Sequence, residues 1–209
     1  MHEKILKIEA AIKARFLVES TGHDWFHIDR VRKMALKISE TEGGNKEIIE
    51  LAALLHDISD HKFNGGDHLA GGILAQQILK QYDYSPNIIE AVKEIIDNIS
   101  FKATQGQNKM KTLEGQIVQD ADRIDALGAI GIARTFAYGG KIENPIYFPT
   151  NQELNTDSNQ KHTIAHFYEK LLKLKDQMNT QTAKLIANQR HAFMTTFLAQ
   201  FFEEWNENK

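Results

Sequence analysis

The stretch Leu51-Ala-Ala-Leu-Leu-His56-Asp57-Ile58-Ser59-Asp60 is the most informative part of the chain, because an apolar helical run ends there in an adjacent histidine and aspartate. Burying an imidazole and carboxylates at the end of an apolar helix costs free energy unless a partner compensates their polarity. A divalent cation is the usual partner. The pair His56-Asp57 is also typical of an ordinary helix C-terminus, where histidine meets the helix dipole and aspartate begins a turn.

Two distant residues are candidates to complete a metal site with this pair. His27 lies upstream, one position off the apolar row of another predicted helix, although an isolated histidine there is more often a core or surface residue. Asp122 lies downstream in a largely apolar helical segment, where an unpaired carboxylate would be costly. Asp125 lies on the same helix face as Asp122, whereas Asp120 is expected to point to solvent.

Composition limits the classes of protein to which the chain can belong. Its 209 residues, 42% hydrophobic and 25% charged, predict one globular domain over residues 1–209. A formal charge of −3 and no basic stripe argue against binding nucleic acid. Because there is no cysteine, a metal must be held by His, Asp, Glu or backbone oxygen. No signal peptide or membrane span is visible, so we expect a cytoplasmic protein that does not bind membranes.

The spacing of apolar residues predicts an all-α fold, since no strand-like alternation persists anywhere. In the final helix, Phe193, Phe197, Phe201 and Trp205 recur every four residues. This aromatic stripe favours packing in the core or against a partner helix, and it could mediate a homodimer. The predicted helices cover residues 3–19, 24–41, 46–56, 67–81, 86–99, 113–138, 164–178 and 180–207, with an irregular segment over about 139–160.

The arrangement of His27, His56-Asp57 and Asp122 resembles the HD superfamily of metal-dependent phosphohydrolases, over roughly residues 20–130. The resemblance implies an HD-domain-like helical bundle, with C-terminal helices over 160–209 packed on the metal-binding core. It also implies that these four residues are the metal ligands.

Further motifs are similar to one bacterial branch of that superfamily and extend the resemblance to nearly the whole chain. For this branch the resemblance implies nucleotide pyrophosphohydrolase activity. The motifs are His23-Asp-Trp-Phe-His27, Ile99-Ser-Phe-Lys102, Asp120-Ala-Asp-Arg-Ile-Asp-Ala126, Met178-Asn-Thr180 and Arg190-His191.

Two imidazoles and two carboxylates form a mixed nitrogen and oxygen donor set. Such a set suits Mn²⁺, Fe²⁺, Ni²⁺ or Zn²⁺ better than Ca²⁺. We expect one divalent ion, with manganese preferred and Co²⁺ or Mg²⁺ as further candidates. Four protein ligands leave two positions of an octahedral ion for a water and a phosphate oxygen, which is the minimum for hydrolysing a phosphorus–oxygen bond.

Three other polar residues are candidates for direct roles in the reaction. Many members of the superfamily have an acidic residue at the position of Asp60, which we expect to orient or deprotonate the attacking water, although it could simply cap a turn. Lys62 and Arg30 are candidates to bind the substrate phosphates, and either could instead be a solvated cation.

The favoured hypothesis is an enzyme that hydrolyses nucleoside or deoxynucleoside triphosphates to monophosphate and pyrophosphate. A 5′-nucleotidase, or another phosphomonoesterase or phosphodiesterase of the superfamily, is the alternative enzyme, because fold does not fix substrate. A non-catalytic module that senses nucleotides is the alternative outside enzymes. The spacing of His23 and His27 also matches the two histidines of a HExxH zinc peptidase, but Asp24 replaces the glutamate and is a natural N-cap.

Overall fold

The computed structural model describes residues 2–17, 24–58, 70–99, 110–148 and 162–206. In this part of the chain all regular structure is helical and no strand occurs, which confirms the predicted all-α class. The helices are α1 His2–Phe16, α2 Trp25–Glu42, α3 Lys46–Leu55, α4 Ala70–Gln81, α5 Pro86–Ile99, α6 Leu113–Asp125, α7 Gly128–Lys141, α8 Ala165–Glu169, a 3-10 helix Leu171–Gln177 and α9 Gln181–Asn206.

The chain divides into two compact units, Met1–Asp122 and Arg123–Lys209. The boundary falls inside α6, whose last three residues begin the second unit. The prediction that all 209 residues form one HD-type domain stays a prediction.

Helix α3 forms the centre of the first unit. It packs against α1, α2 and α5, so that it has neighbours on several sides. All five residues from Leu51 to Leu55 are fully buried as a result. This burial explains why the run is apolar on every face rather than along one stripe, and it places His56 directly beside the core.

The surrounding helices of the first unit are amphipathic. Helix α1 buries Ile5, Ile8 and Ile12, at the spacing of a single helix face. Helix α5 buries one apolar face and packs against α3 and α4. Polar residues lie at one end of each of two helices in this unit: His27 in the first turn of α2, and His56 directly after the last residue of α3.

In the second unit, α9 packs against α7 and the 3-10 helix. Its aromatic residues divide between two environments. Phe197 contacts Phe136 and Phe167, with ring centroids 6.0 and 6.1 Å away. Phe193 is 54% exposed. Trp205 is 43% exposed, so two of the four residues of the predicted stripe are exposed, and the homodimer stays a prediction.

Two of the predicted helices are interrupted. The predicted helix over 113–138 ends at Asp125, and α7 begins only at Gly128. Gly128, the first residue of α7, has a φ of +73°, a left-handed conformation that glycine adopts without steric cost and that a continuous right-handed helix does not contain. The helix predicted over 164–178 is a short α-helix followed by a 3-10 turn. Among the residues described, no helix has the length and apolarity needed to cross a bilayer.

Candidate metal centre

His27 lies in the first turn of α2 and is fixed there by the helix cap. Asp24 has the extended conformation of an N-cap, with φ −78° and ψ 171°, and its carboxylate accepts a hydrogen bond from the His27 backbone N–H at 2.8 Å. The His27 side chain is only 2% exposed. The cap therefore fixes the start of the helix and, with it, the position at which the imidazole enters the interior.

His56 follows the last residue of α3, and its ring orientation is set by the backbone. Its Nδ1 lies 2.8 Å from the carbonyl oxygen of Ala53. Because a carbonyl only accepts, this contact requires the proton on Nδ1, so in the neutral ring Nε2 keeps its lone pair. That Nε2 lies 3.2 Å from Nε2 of His27. The contact thus fixes the tautomer that can bind a cation.

The carboxylates of Asp57 and Asp122 complete a compact group of four donors within the first unit. Oδ2 of Asp57 lies 3.3 Å from His27 Nε2 and 3.4 Å from His56 Nε2. Oδ1 of Asp122 lies 3.5 and 3.9 Å from the same two nitrogens. Residues separated by almost one hundred positions therefore present two nitrogens and two oxygens to one small volume.

The group fits a divalent cation. Ligands about 2.1 Å from a metal ion lie roughly 3.0–3.4 Å apart in tetrahedral or octahedral geometry. The donors of His27, His56 and Asp57 lie 3.2–3.4 Å apart, and the Asp122 oxygen lies slightly farther, 3.5 and 3.9 Å from the two nitrogens. Two neutral histidines and two carboxylates also carry a net charge of −2, which a divalent ion balances. His27, His56 and Asp57 together satisfy the spacing expected of a metal site.

The other predicted site residues are placed less fully. Arg30 lies on α2 one turn after His27, is partly buried and has interaction partners in the structure. Asp60 and Lys62 lie outside the described residues, so their roles stay predictions.

One expectation about α6 was wrong, because Asp120 does not point to solvent but is completely buried. It shares the inward face with Ile117, Ala121 and Ile124, which are also fully buried. The spacing of Asp120 from these three residues, at the helical period, explains why it is buried. Asp125 is likewise 4% exposed and accepts a hydrogen bond from Arg134 at 2.8 Å.

The zinc-peptidase alternative is not supported by the start of α2. A HExxH site requires both histidines on one helix. Helix α2 begins at Trp25, after the extended N-cap Asp24, and so does not extend back to position 23. His23 itself lies outside the described residues.

Comparison with known proteins identifies relatives of the whole chain. The family model of the HD domain matches residues 25–127. The crystal structure of an HD-superfamily hydrolase from Bacillus thuringiensis is 45% identical in sequence, with a TM-score of 0.78 over 98% of each chain.

The protein YpgQ of Bacillus subtilis is 38% identical over 183 residues, which cover 87% of this chain and 84% of YpgQ. The crystal structure of YpgQ in complex with ADP superposes with a TM-score of 0.76 at 34% identity. That superposition covers 96% of this chain and 97% of YpgQ.

Proposed function

The chain belongs to the HD superfamily of hydrolases, and on that premise we propose that it is a metal-dependent phosphohydrolase acting on nucleoside or deoxynucleoside triphosphates. Its products would be the nucleoside monophosphate and pyrophosphate. The observation that carries the proposal is the convergence of His27, His56, Asp57 and Asp122, because hydrolysis of a phosphoanhydride needs a centre of positive charge and an activated water.

The four converging side chains would hold one divalent ion, with manganese preferred on the basis of the donor set. When bound, such an ion supplies Lewis-acid activation of water and phosphate at neutral pH. Iron, nickel, zinc, cobalt and magnesium are alternative ions.

The chain's own residues would supply the remaining functions. Asp60 would orient the attacking water and accept its proton, because it follows Asp57 by only three positions. Lys62 and Arg30 would bind the phosphates, and Arg30 lies one turn from His27 on the same helix.

A nucleotide substrate is supported by the relative bound to ADP. YpgQ, with which this chain superposes over nearly its full length, has been crystallised in complex with that nucleotide. The proposal extends this to a triphosphate and to the cytoplasm, where such nucleotides are made and used.

A nucleotide screen that resolves the products tests the proposal. Protein loaded with Mn²⁺ is incubated with ribo- and deoxyribonucleoside mono-, di- and triphosphates, and the products are separated by ion-exchange chromatography. We expect triphosphates to give monophosphate and pyrophosphate. Release of inorganic phosphate from monophosphates would instead identify a 5′-nucleotidase. Substrates that stay intact with Mn²⁺ and, in repeat incubations, with each of the alternative ions would contradict an enzyme.

Variants connect the activity with the site. Asp57→Asn should abolish pyrophosphate release, and Asp60→Asn should reduce it on the order of 100-fold if the carboxylate is the general base. The matched control is Asp176→Asn, which removes an exposed carboxylate of the second unit whose side chain is 70% exposed. Its activity should equal that of the parent protein.

A further inference from the structure

Asp122 is the most exposed of the four proposed ligands. Its side chain is 39% exposed, compared with 2% for both histidines and 19% for Asp57. Packing therefore constrains its carboxylate least. Asp122 is the fourth residue from the end of α6, so the conformation of the last turn of this helix helps to set the direction of its carboxylate.

The three residues that follow Asp122 in α6 are each anchored to a different element of the second unit. The guanidinium of Arg123 donates to the carbonyl of Gln177, at the end of the 3-10 helix. The carbonyl of Ile124 accepts a hydrogen bond from Nη1 of Arg190 on α9 at 2.7 Å. The next residue, Asp125, pairs with Arg134 on α7.

The contact made by Arg190 has the features of a specific helix cap. The last carbonyls of a helix form the negative end of its dipole, so a cationic donor is favourable there. The Ile124 carbonyl also accepts a hydrogen bond from the Leu127 N–H at 3.0 Å, and Arg190 donates to its second lone pair. The path of the Arg190 side chain crosses Gly128, where a Cβ atom would lie 3.1–3.3 Å from the arginine stem. Glycine at this position thus leaves room for Arg190 to reach the end of α6.

We propose that Arg190 is a positioning residue for Asp122. By binding the Ile124 carbonyl, it fixes the last turn of α6, which begins at the residue that supplies the fourth ligand. Because α6 is continuous from Leu113 to Asp125, displacing its end displaces Asp122 as well. The inference rests on the proposed metal site, and it assigns a metal-site role to a helix that carries no proposed ligand.

Mn²⁺ affinity measured on the full-length apoprotein, by the electron paramagnetic resonance signal of free Mn²⁺, tests this role without any substrate. Arg190→Met keeps the aliphatic stem and removes the donor, and should weaken Mn²⁺ binding ~10-fold, as is typical when a residue that orients a ligand is lost. Arg190→Lys, which keeps a cationic donor, should restore most of the affinity. Lys184→Met, at an exposed position of the same helix, is the matched control and should bind Mn²⁺ like the parent protein.

A double-mutant cycle separates positioning from general destabilisation. If Arg190 acts through Asp122, adding Arg190→Met to Asp122→Asn should change the affinity less than about twofold further. An equal loss with and without Asp122 would overturn the inference, as would unchanged affinity in the single variant. If circular dichroism shows that Arg190→Met is unfolded, Arg190→Gln, whose amide is too short to reach Ile124, replaces it.

The outcomes also separate this inference from the proposed function. A parent protein that binds Mn²⁺ but hydrolyses no nucleotide would contradict the function alone, and the affinities would still decide the role of Arg190. A parent protein that binds no Mn²⁺ would overturn both.

Discussion

At the level of single residues, the tautomer of His56 matters most for the proposed site, because it decides which ring nitrogen can bind a metal ion. Because the Ala53 carbonyl requires a proton on Nδ1, we predict that metal-free protein at pH 8 contains His56 as the Nδ1–H form. Two-dimensional ¹H–¹⁵N spectra of the imidazole groups, assigned with a His56→Gln variant, measure this. An Nε2–H tautomer of His56 would contradict the proposed orientation of the ring.

His162 makes the stability of the second unit depend on pH. Burial lowers the pKa of this imidazole below its usual value, and its Nδ1 accepts a hydrogen bond from the Ala165 N–H at 3.1 Å. The unfolded chain therefore binds a proton more readily than the native one. The neutral His162 ring therefore contributes to the free energy of unfolding above the unfolded pKa of about 6.5, and this contribution is lost as pH falls through the lower native pKa.

We predict that His162→Asn, whose side-chain oxygen can still accept from Ala165, weakens the loss of stability between pH 7.5 and pH 5. Urea unfolding of both proteins across this range measures the effect as a difference in the slope of unfolding free energy against pH. This slope is independent of any constant loss of the ring contact with Tyr147, whose centroid lies 5.1 Å from that of His162. Parallel curves would show that His162 does not titrate differently on folding.

Individual residues also show what sequence could and could not predict about the site. His56 and Asp57 were recognisable because they are adjacent and follow an apolar run. The role of Ala53 was not, because it is exerted by a backbone carbonyl that every residue possesses. Asp120 was wrongly expected to face solvent, although its spacing from Ile117, Ala121 and Ile124 places it on the buried face of α6.

Among the helices, Arg32 joins three elements of the first unit. Its Nη1 lies 3.0 Å from the carboxylate of Glu9 on α1, and its Nε donates to Glu50 on α3 at 2.8 Å. All three side chains are at most 25% exposed. The network therefore ties α2 to both neighbours where solvent screening is limited.

We predict that Arg32→Met lowers the free energy of unfolding by about 2 kcal/mol, because it leaves two partly buried carboxylates without their partner. Urea denaturation measures the change. The neighbouring Lys33, 72% exposed and paired with Asp29 one turn earlier, provides the control. Lys33→Met should change stability by less than about 0.5 kcal/mol, and equal effects of the two substitutions would contradict the role of the network.

The existence of most helices could be predicted from periodicity, but their interruptions could not. Gly128 fits the apolar row of a helix over 113–138, and only its left-handed backbone shows that the chain turns there. The space beside it is used by Arg190 of α9, more than sixty residues later in the chain. Such contacts between distant segments are not visible in local patterns.

At the scale of the whole molecule, metal binding should stabilise the fold, because the proposed site joins residues from α2, α6 and the end of α3. At an Mn²⁺ concentration 100 times the dissociation constant, the expected gain is about 2.7 kcal/mol. For a chain of this size that corresponds to roughly 5–10 °C in Tm. Differential scanning calorimetry with Mn²⁺ and with EDTA measures it.

The gain should disappear in Asp57→Asn, whose amide lacks the charge of the carboxylate. An equal Mn²⁺-dependent shift in this variant would indicate that the ion binds elsewhere.

The assembly of the molecule is less accessible to sequence reasoning. Whether the protein forms the predicted homodimer can be decided by gel filtration with light scattering.

A crystal structure of the protein grown with Mn²⁺, with anomalous data collected at the manganese edge, tests the central claim most directly. We predict a single strong anomalous peak, bound by Nε2 of both histidines and by one carboxylate oxygen each of Asp57 and Asp122. A map in which these four side chains share no ion, while manganese is bound elsewhere or not at all, would contradict the account.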